Sequence, residues 1–178
     1  DLNSNNILIC KDNGHYKLID FEYSDFSWKA YDFANYLNET HFDYSLNQSP
    51  FFFMKELTIL KLEANAMLCF YLIFEKIEKS KESEYWKETE ILFEELKANH
   101  FNETFISQLL EKYGISEEDI HEFQEQVQTC MILSNYYWMI WSIFIGHDKT
   151  KDFDYIMHAW KRFEFMSSLK NIQGNIFQ

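Results

Sequence analysis

Residues that interrupt regular structure are rare in this chain. Its 178 residues contain only four glycines and one proline. Because these two residues are the usual sites of turns and helix ends, so few of them favour long helices joined by short connections. Hydrophobic residues make up 47% of the sequence and aromatic residues 19%, which is ample for a packed core. We therefore expect one folded domain over residues 1–178 with mainly helical structure.

Two short apolar runs near the N-terminus depart from that pattern. Residues 7–10 (ILIC) and 16–20 (YKLID) flank an Asn-Gly dipeptide, which between such runs is a strong hairpin signal. After about residue 27 the apolar spacing predicts helices, with a charged connector at 79–83. Ser116 and Asp119 have the spacing of a capping box at a helix start. The predicted helices cover residues 28–39, 51–79, 85–98, 103–113, 117–146 and 153–170.

Charge, hydropathy and cysteine content exclude several classes of protein. The formal net charge of −13 argues against a nucleic-acid partner, because phosphate binding needs clustered Lys and Arg. It suits a cationic ligand, although an acidic surface also serves solubility alone. The longest apolar run, 131–145, contains three polar residues and is too short for a membrane span, so we predict a buried helix. Cys10, Cys69 and Cys130 lack metal-binding spacing, which predicts buried free thiols in a reducing compartment.

The first twenty residues carry the strongest chemical signal. Asp1 and Asn6 lie five residues apart in a predicted loop, and the hairpin returns Asp20 to the same place. Two carboxylates and an amide oxygen that converge there would suit Mg²⁺, and a carboxylate that binds no metal can accept a proton from a hydroxyl. Either segment alone is equally well explained by turn and cap hydrogen bonds. The two together, in this order, favour phosphoryl transfer.

Asp-x-x-x-x-Asn followed by Ile-Asp-Phe resembles the catalytic loop and metal-binding turn of the kinase-like phosphotransferases. Protein kinases have Gly after Asp-Phe, whereas this chain has Glu22-Tyr23. With Tyr31-Asp32, Asn35, Glu39 and the later pair Trp138 and Trp141, the sequence resembles the choline and ethanolamine kinases over nearly its whole length. The resemblance implies the mainly α C-terminal lobe of a protein-kinase-like fold with a small β-hairpin near the N-terminus. The N-terminal lobe, with its phosphate-covering loop and Lys, is absent from these residues.

The same resemblance assigns roles to individual residues. It implies that Asp1 is the catalytic base, that Asn6 and Asp20 hold the Mg²⁺ that bridges the ATP phosphates, and that Glu22 supports this metal. Asp32 would brace the catalytic loop by accepting backbone N–H bonds. The alcohol pocket would be lined by Tyr23, Glu39, Tyr44, Trp138, Trp141, Phe153 and Tyr155.

The implied partners follow from the resemblance as well. They are choline or ethanolamine, ATP and the N-terminal lobe of the same protein, and a homodimer is left open. The implied location is the cytoplasm, and the implied product feeds phospholipid head-group synthesis. Because the Lys that pairs the ATP phosphates is missing, we expect these 178 residues alone to turn over little or no ATP.

A pocket of aromatic rings suits a quaternary ammonium group. Such a group has no N–H to donate and is held by ring faces and a nearby carboxylate, which Glu39 would supply. Trp138 and Trp141 lie three residues apart, on one face of a predicted helix, although without the N-terminal motif core packing is the simpler explanation. His158 stands where the family commonly has another pocket tyrosine. A protonated imidazole there would repel a cation.

Two other interpretations remain. An aminoglycoside-type phosphotransferase of the same superfold would bind polycationic sugars in an acidic pocket, which the tryptophan pair disfavours. An inactive scaffold relative would keep the helical lobe for a partner, which intact Asp1, Asn6 and Asp20 disfavour. Between the two alcohols, the number of aromatic residues slightly favours choline, since a trimethylammonium group needs a full aromatic cage.

Overall fold

The computed structural model describes residues 1–12, 14–55, 61–80, 91–92, 94–95, 98, 102–148 and 152–171. Their contacts form two compact units. The first combines Asp1–Thr58 with Gln126–Ile176, and the second contains Ile59–Glu125. The single lobe over residues 1–178 therefore stays a prediction.

The predicted hairpin is present at the start of the first unit. A 3-10 turn at Ser4–Asn6 leads into β1 (Ile7–Ile9), which pairs antiparallel with β2 (Tyr16–Leu18). Gly14 closes the connection with a φ of +70°, a conformation that glycine adopts at little cost. Its N–H donates to the carbonyl of Cys10 at 2.8 Å.

Cys10 itself is exposed, whereas Cys69 and Cys130 are buried. The prediction of three buried thiols was therefore wrong at Cys10. That residue follows β1 in a two-stranded ribbon, and so short a ribbon does not bury the residues at its end.

Four of the six predicted helices are observed with nearly the predicted ends. Predicted helices 28–39, 103–113, 117–146 and 153–170 are observed with ends shifted by at most two residues. Of predicted helix 85–98, residues 85–90, 93, 96 and 97 lie outside the described residues, and 91, 92, 94, 95 and 98 are helical. The helices are α1 (Lys29–Glu39), α2 (Lys61–Ser80), α3 (Glu103–Lys112), α4 (Glu117–Ile145) and α5 (Tyr155–Asn171).

The helix predicted over 51–79 is wrong at its start. Phe53–Met54 forms β4, which pairs antiparallel with β3 (Phe42–Asp43). Phe52, 2% exposed, packs with ring centroids 6.2 Å from Phe42 and 5.3 Å from Phe153. These contacts with distant residues outweigh the local helical spacing. Residues 56–60 lie outside the described part of the chain, as do 81–83 of the predicted connector, whose first two residues end α2.

The capping box at the start of α4 is confirmed. The N–H of Asp119 donates to Oγ of Ser116 at 3.1 Å, and the N–H of Ser116 donates to Oδ2 of Asp119 at 2.8 Å. These reciprocal bonds satisfy two backbone donors that the first turn of a helix leaves without partners.

The run 131–145 lies within α4 and is buried on one side only. Met131, Ser134, Asn135 and Ser142 are each fully buried at 0% exposure, so polar residues share that side with apolar ones. No helix of the described residues is both long enough and apolar enough to cross a membrane. The second unit has a separate apolar core, formed by α2, α3 and nearby residues: Ala66, Cys69, Phe70, Ile73, Ile77, Leu92, Ile106, Leu109 and Ile115.

Candidate active site

The loop that precedes β1 is held by its own asparagines. Oδ1 of Asn3 accepts from the backbone N–H groups of Asn5 and Asn6 at 2.9 and 3.2 Å. Nδ2 of Asn6 donates to the main-chain carbonyl of Asp1 at 2.9 Å and lies 3.4 Å from its Oδ2. The Asp1 carboxylate is therefore held at a defined position beside Asn6.

A second amide holds Asp1 from helix α1. Asn35 is 1% exposed, and its Nδ2 donates to Oδ1 of Asp1 at 3.1 Å and to the carbonyl of Leu2 at 3.2 Å. Its Oδ1 accepts from Oγ of Ser134 at 2.6 Å and from Nε1 of Trp138 at 2.8 Å. Asn35 belongs to the motif that carries the family resemblance, but no role was predicted for it. The sequence signal that could have indicated a role was a polar residue on the apolar side of an amphipathic helix, because a buried polar side chain needs hydrogen-bond partners.

Asp1 lines a small cavity with other oxygen-bearing side chains. This oxygen-lined cavity has a volume of about 90 Å³ and is bordered by Asp1, Leu2, Asn6, Leu18, Ile19, Asp20, Phe21, Ser24 and Asp32. Asp20 has a φ of +65°, an uncommon conformation for a residue with a Cβ and one often found at functional sites. The structure thus brings residues 1, 6 and 20 around one space. Asp32 lines it from the first turn of α1, whereas Glu22 is exposed and borders no described cavity.

The donor set of the oxygen-lined cavity suits a small divalent cation. Mg²⁺ is usually held by one or two carboxylates and keeps its other positions for water and phosphate oxygens. The cavity offers carboxylates and the amide of Asn6, and its lining contains no Lys or Arg. In the described part of the chain, no three Asp, Glu, His or Cys side chains form a metal-binding group.

Six of the seven predicted pocket residues line a second space, the ring-lined cavity, of about 270 Å³. Trp138 and Trp141 on α4 meet edge to face with centroids 5.4 Å apart, and Trp141 lies 5.7 Å from Tyr155. Tyr23 does not line the space, but its hydroxyl accepts from Nε1 of Trp141 at 3.0 Å and its ring contacts both indoles. The lining consists of Asp1, Asn3, Glu39, Tyr44, Trp138, Trp141, Phe153, Tyr155, His158 and Arg162.

Glu39 is paired with a buried cation that the sequence analysis missed. Nη2 of Arg162, which is 1% exposed, forms a salt bridge with Oε1 of Glu39 and donates to the Tyr44 hydroxyl at 3.2 Å. Its guanidinium carbon lies 3.9 Å from the centre of the Phe42 ring, a cation–π contact. Arg162 is the only arginine among the 16 Lys and Arg residues of the sequence, and it follows His158 by one helical turn. These two facts were the sequence signal that could have indicated a role for Arg162 in the pocket.

His158 is a neutral member of this network. It is 4% exposed, and its Nε2 accepts from Nε of Arg162 at 3.3 Å. Since arginine can only donate, Nδ1 carries the ring hydrogen and donates to Oγ of Ser142 at 2.7 Å. Burial, followed by the charge of Arg162, lowers the pKa of His158 to about 3. The imidazole is therefore uncharged near pH 7 and does not repel a cation.

Asp1 is the residue shared by the two cavities. In the oxygen-lined cavity Asp1 lies beside carboxylate and amide groups, and in the ring-lined cavity it lies beside aromatic rings. Both spaces are lined entirely by residues of the first compact unit. A carboxylate placed in this way can take a proton from a group bound against the rings while a charged group occupies the neighbouring space.

Comparison with known proteins gives a consistent result. The family model described as choline/ethanolamine kinase matches residues 1–167. The chain is similar to the choline/ethanolamine kinase of Homo sapiens, with 22% identity over 93% of this chain and 35% of that protein. It is 27% identical to the probable ethanolamine kinase B of Dictyostelium discoideum over 96% of this chain and 36% of that protein.

A shorter match is closer in sequence. Choline kinase A2 of Caenorhabditis elegans is 37% identical over 79 residues, which cover 44% of this chain and 18% of that protein. The chain spans about a third of the length of the human and Dictyostelium relatives. Because the family model covers nearly all of these residues and the motifs lie at the two cavities, this chain belongs to the choline/ethanolamine kinase family.

Proposed function

We propose that the full-length protein transfers the γ-phosphate of ATP to the hydroxyl of choline, and less efficiently to that of ethanolamine. The observation that carries this proposal is the position of Asp1 between the oxygen-lined and ring-lined cavities. Membership of the choline/ethanolamine kinase family supports the same reaction. The phosphoalcohol would enter phospholipid head-group synthesis in the cytoplasm.

In the proposed reaction, Asp1 acts as the base. Its carboxylate accepts the hydroxyl proton while the alcohol oxygen forms a bond to the γ-phosphorus, and the bond from that phosphorus to the bridging oxygen of ADP breaks. Asn6 and Asn35 hold the carboxylate through their amide groups. A base fixed in this way loses little freedom when the alcohol binds.

The oxygen-lined cavity is where we place the phosphate end of the reaction. Asn6 and Asp20 would hold Mg²⁺, which when bound offsets the negative charge of the phosphates. Glu22, exposed in the turn after Asp20, would support the metal through water. The lining of this cavity contains no Lys or Arg, and we infer that the cation paired with the phosphates comes from outside it.

The ring-lined cavity favours choline over ethanolamine. A primary ammonium has three N–H donors that need acceptors, whereas a trimethylammonium group needs ring faces. Two of the acceptors in the lining are already engaged, because Glu39 is paired with Arg162 and Nε2 of His158 accepts from the same guanidinium. Trp138, Trp141, Phe153 and Tyr155 leave ring surface for a trimethylammonium group.

Steady-state kinetics of the full-length protein with ATP and each alcohol test the proposal. We expect kcat/KM for choline to exceed that for ethanolamine at least about tenfold, equivalent to about 1.4 kcal/mol. Asp1→Asn should lower kcat by at least about 100-fold while KM for choline changes little, because a general base contributes about 10²–10⁴-fold.

Other outcomes would contradict the proposal in identifiable ways. Equal efficiency with both alcohols would remove the preference for choline but keep the kinase. Activity only on an aminoglycoside would indicate the other phosphotransferase class. No turnover of any of these substrates, together with a cellular role that survives Asp1→Asn, would indicate an inactive scaffold.

A further inference from the structure

One buried side chain connects the Asp1 loop with the wall of the ring-lined cavity. Asn35 donates through Nδ2 to Asp1 and Leu2, and it accepts through Oδ1 from Ser134 and Trp138. These four bonds engage both ends of an amide that is 1% exposed. Asn35 itself lines neither cavity.

The indole of Trp138 determines which way this amide points. An indole N–H can only donate, so the amide end that faces Nε1 of Trp138, 2.8 Å away, must be the oxygen. The nitrogen then has to face the carboxylate of Asp1 and the carbonyl of Leu2, which can only accept. A reversed amide would set its NH₂ group against the indole N–H, donor against donor, and its oxygen against the oxygens of Asp1 and Leu2, acceptor against acceptor. None of these three contacts would then be a hydrogen bond.

We propose that Asn35 is a positioning residue, which fixes the distance between the Asp1 carboxylate and the indole wall formed by Trp138. This inference rests on the function proposed above. An alcohol whose ammonium group lies against the rings reaches Asp1 only if that distance matches its own length. Because the same amide bonds to both sides, a shift of the Trp138 indole also shifts the carboxylate.

The consequence is a separation of effects on kcat and KM. Loss of Asn35 leaves the ring surface in place, so KM for choline stays within about threefold of the wild type. The base is no longer held, and since a misplacement of about 1 Å can cost about 10²-fold in rate, kcat falls by about that factor. A purely structural role would instead change KM and the thermal midpoint as much as kcat.

The experiment compares Asn35→Ala, Trp138→Phe and Trp160→Phe in the full-length protein, with ATP and choline. Trp138→Phe keeps an aromatic ring but removes the N–H that orients Asn35, together with part of the indole surface. Trp160→Phe is the control for the loss of an indole N–H, because Trp160 lines neither cavity and its N–H donates to Glu164 instead. We expect kcat to fall at least about tenfold for Trp138→Phe and less than about threefold for Trp160→Phe, since only the first releases the amide.

A double variant adds a further test of the same connection. Asn35→Ala combined with Trp138→Phe should have the kcat of Asn35→Ala alone, because both changes act through one amide. Thermal unfolding and circular dichroism establish that each variant is folded, and if Asn35→Ala does not fold, the two tryptophan variants decide the matter.

The outcomes that overturn the inference differ from those that overturn the function. A wild-type kcat in Asn35→Ala, or equal losses in the two tryptophan variants, overturns the positioning role and leaves the kinase intact. A wild-type protein that phosphorylates neither alcohol overturns the proposed function and the positioning role together.

Discussion

In the ring-lined cavity, charge pairing and ring surface come from different side chains. Arg162 offsets the charge of Glu39, which the sequence analysis had assigned to the incoming cation. A buried carboxylate left without this partner would be strongly unfavourable, by roughly 3–5 kcal/mol in comparable sites. In the proposed reaction, attraction for the ammonium group of the alcohol would therefore rest mainly on the rings. Trp141 is the clearest of these to test, because its ring lines the space while its N–H bonds to Tyr23.

Trp141→Ala should raise KM for choline at least about tenfold, which corresponds to about 1.4 kcal/mol of lost binding. The physical reason is the loss of a ring face from the proposed cation site. Steady-state kinetics on the full-length protein measure it. Trp160→Ala is the control, since Trp160 is 56% exposed on α5 and does not line the cavity. An unchanged KM in Trp141→Ala would mean that this indole only packs.

Among the elements, the helices were the most predictable. Their apolar spacing and end signals are local, and α3, α4 and α5 lie within two residues of the predicted positions. The second hairpin was not predictable in this way. Its strands are two residues long, and the paired residues lie ten and twelve positions apart. Phe52, just before the second strand, packs on the distant Phe153.

The capping box of α4 gives a prediction at this scale. Ser116→Ala removes the acceptor of the Asp119 N–H and should lower the free energy of unfolding by about 1 kcal/mol. Urea denaturation measures the change. Thr129→Ala is a suitable control, because Thr129 is exposed in the middle of α4 and caps no helix end. Equal losses in the two variants would show that the cap contributes nothing of its own.

At the scale of the whole molecule, burial of neutral imidazoles makes stability depend on pH. The pKa of His158 is about 3 in the folded protein against an ordinary value of 6.5, and burial also lowers the pKa of His41. Below about pH 6.5 the unfolded chain binds a proton that the folded His158 does not. Its contribution to stability is therefore complete above that pH and is lost as the pH falls toward 3.

His158→Gln should flatten this dependence. In the wild type the titration of His158 lowers the free energy of unfolding by up to about 1.4 kcal/mol for each pH unit in this window, and the variant lacks that contribution. Urea denaturation at pH 7.5 and pH 5 measures the difference. The same slope in His158→Gln and the wild type would contradict the assignment.

The amino-acid sequence alone was sufficient for four of the helices, the first hairpin and the family, because these depend on spacing between near neighbours and on contiguous motifs. It also named Asp1, Asn6 and Asp20, which the fold brings to one cavity. Only the tertiary structure revealed the pairing of Glu39 with Arg162 and the bonds of Asn35 to Asp1 and Trp138. These partners lie 34 to 123 positions apart, and hydrogen bonds over such separations exist only once the chain has packed.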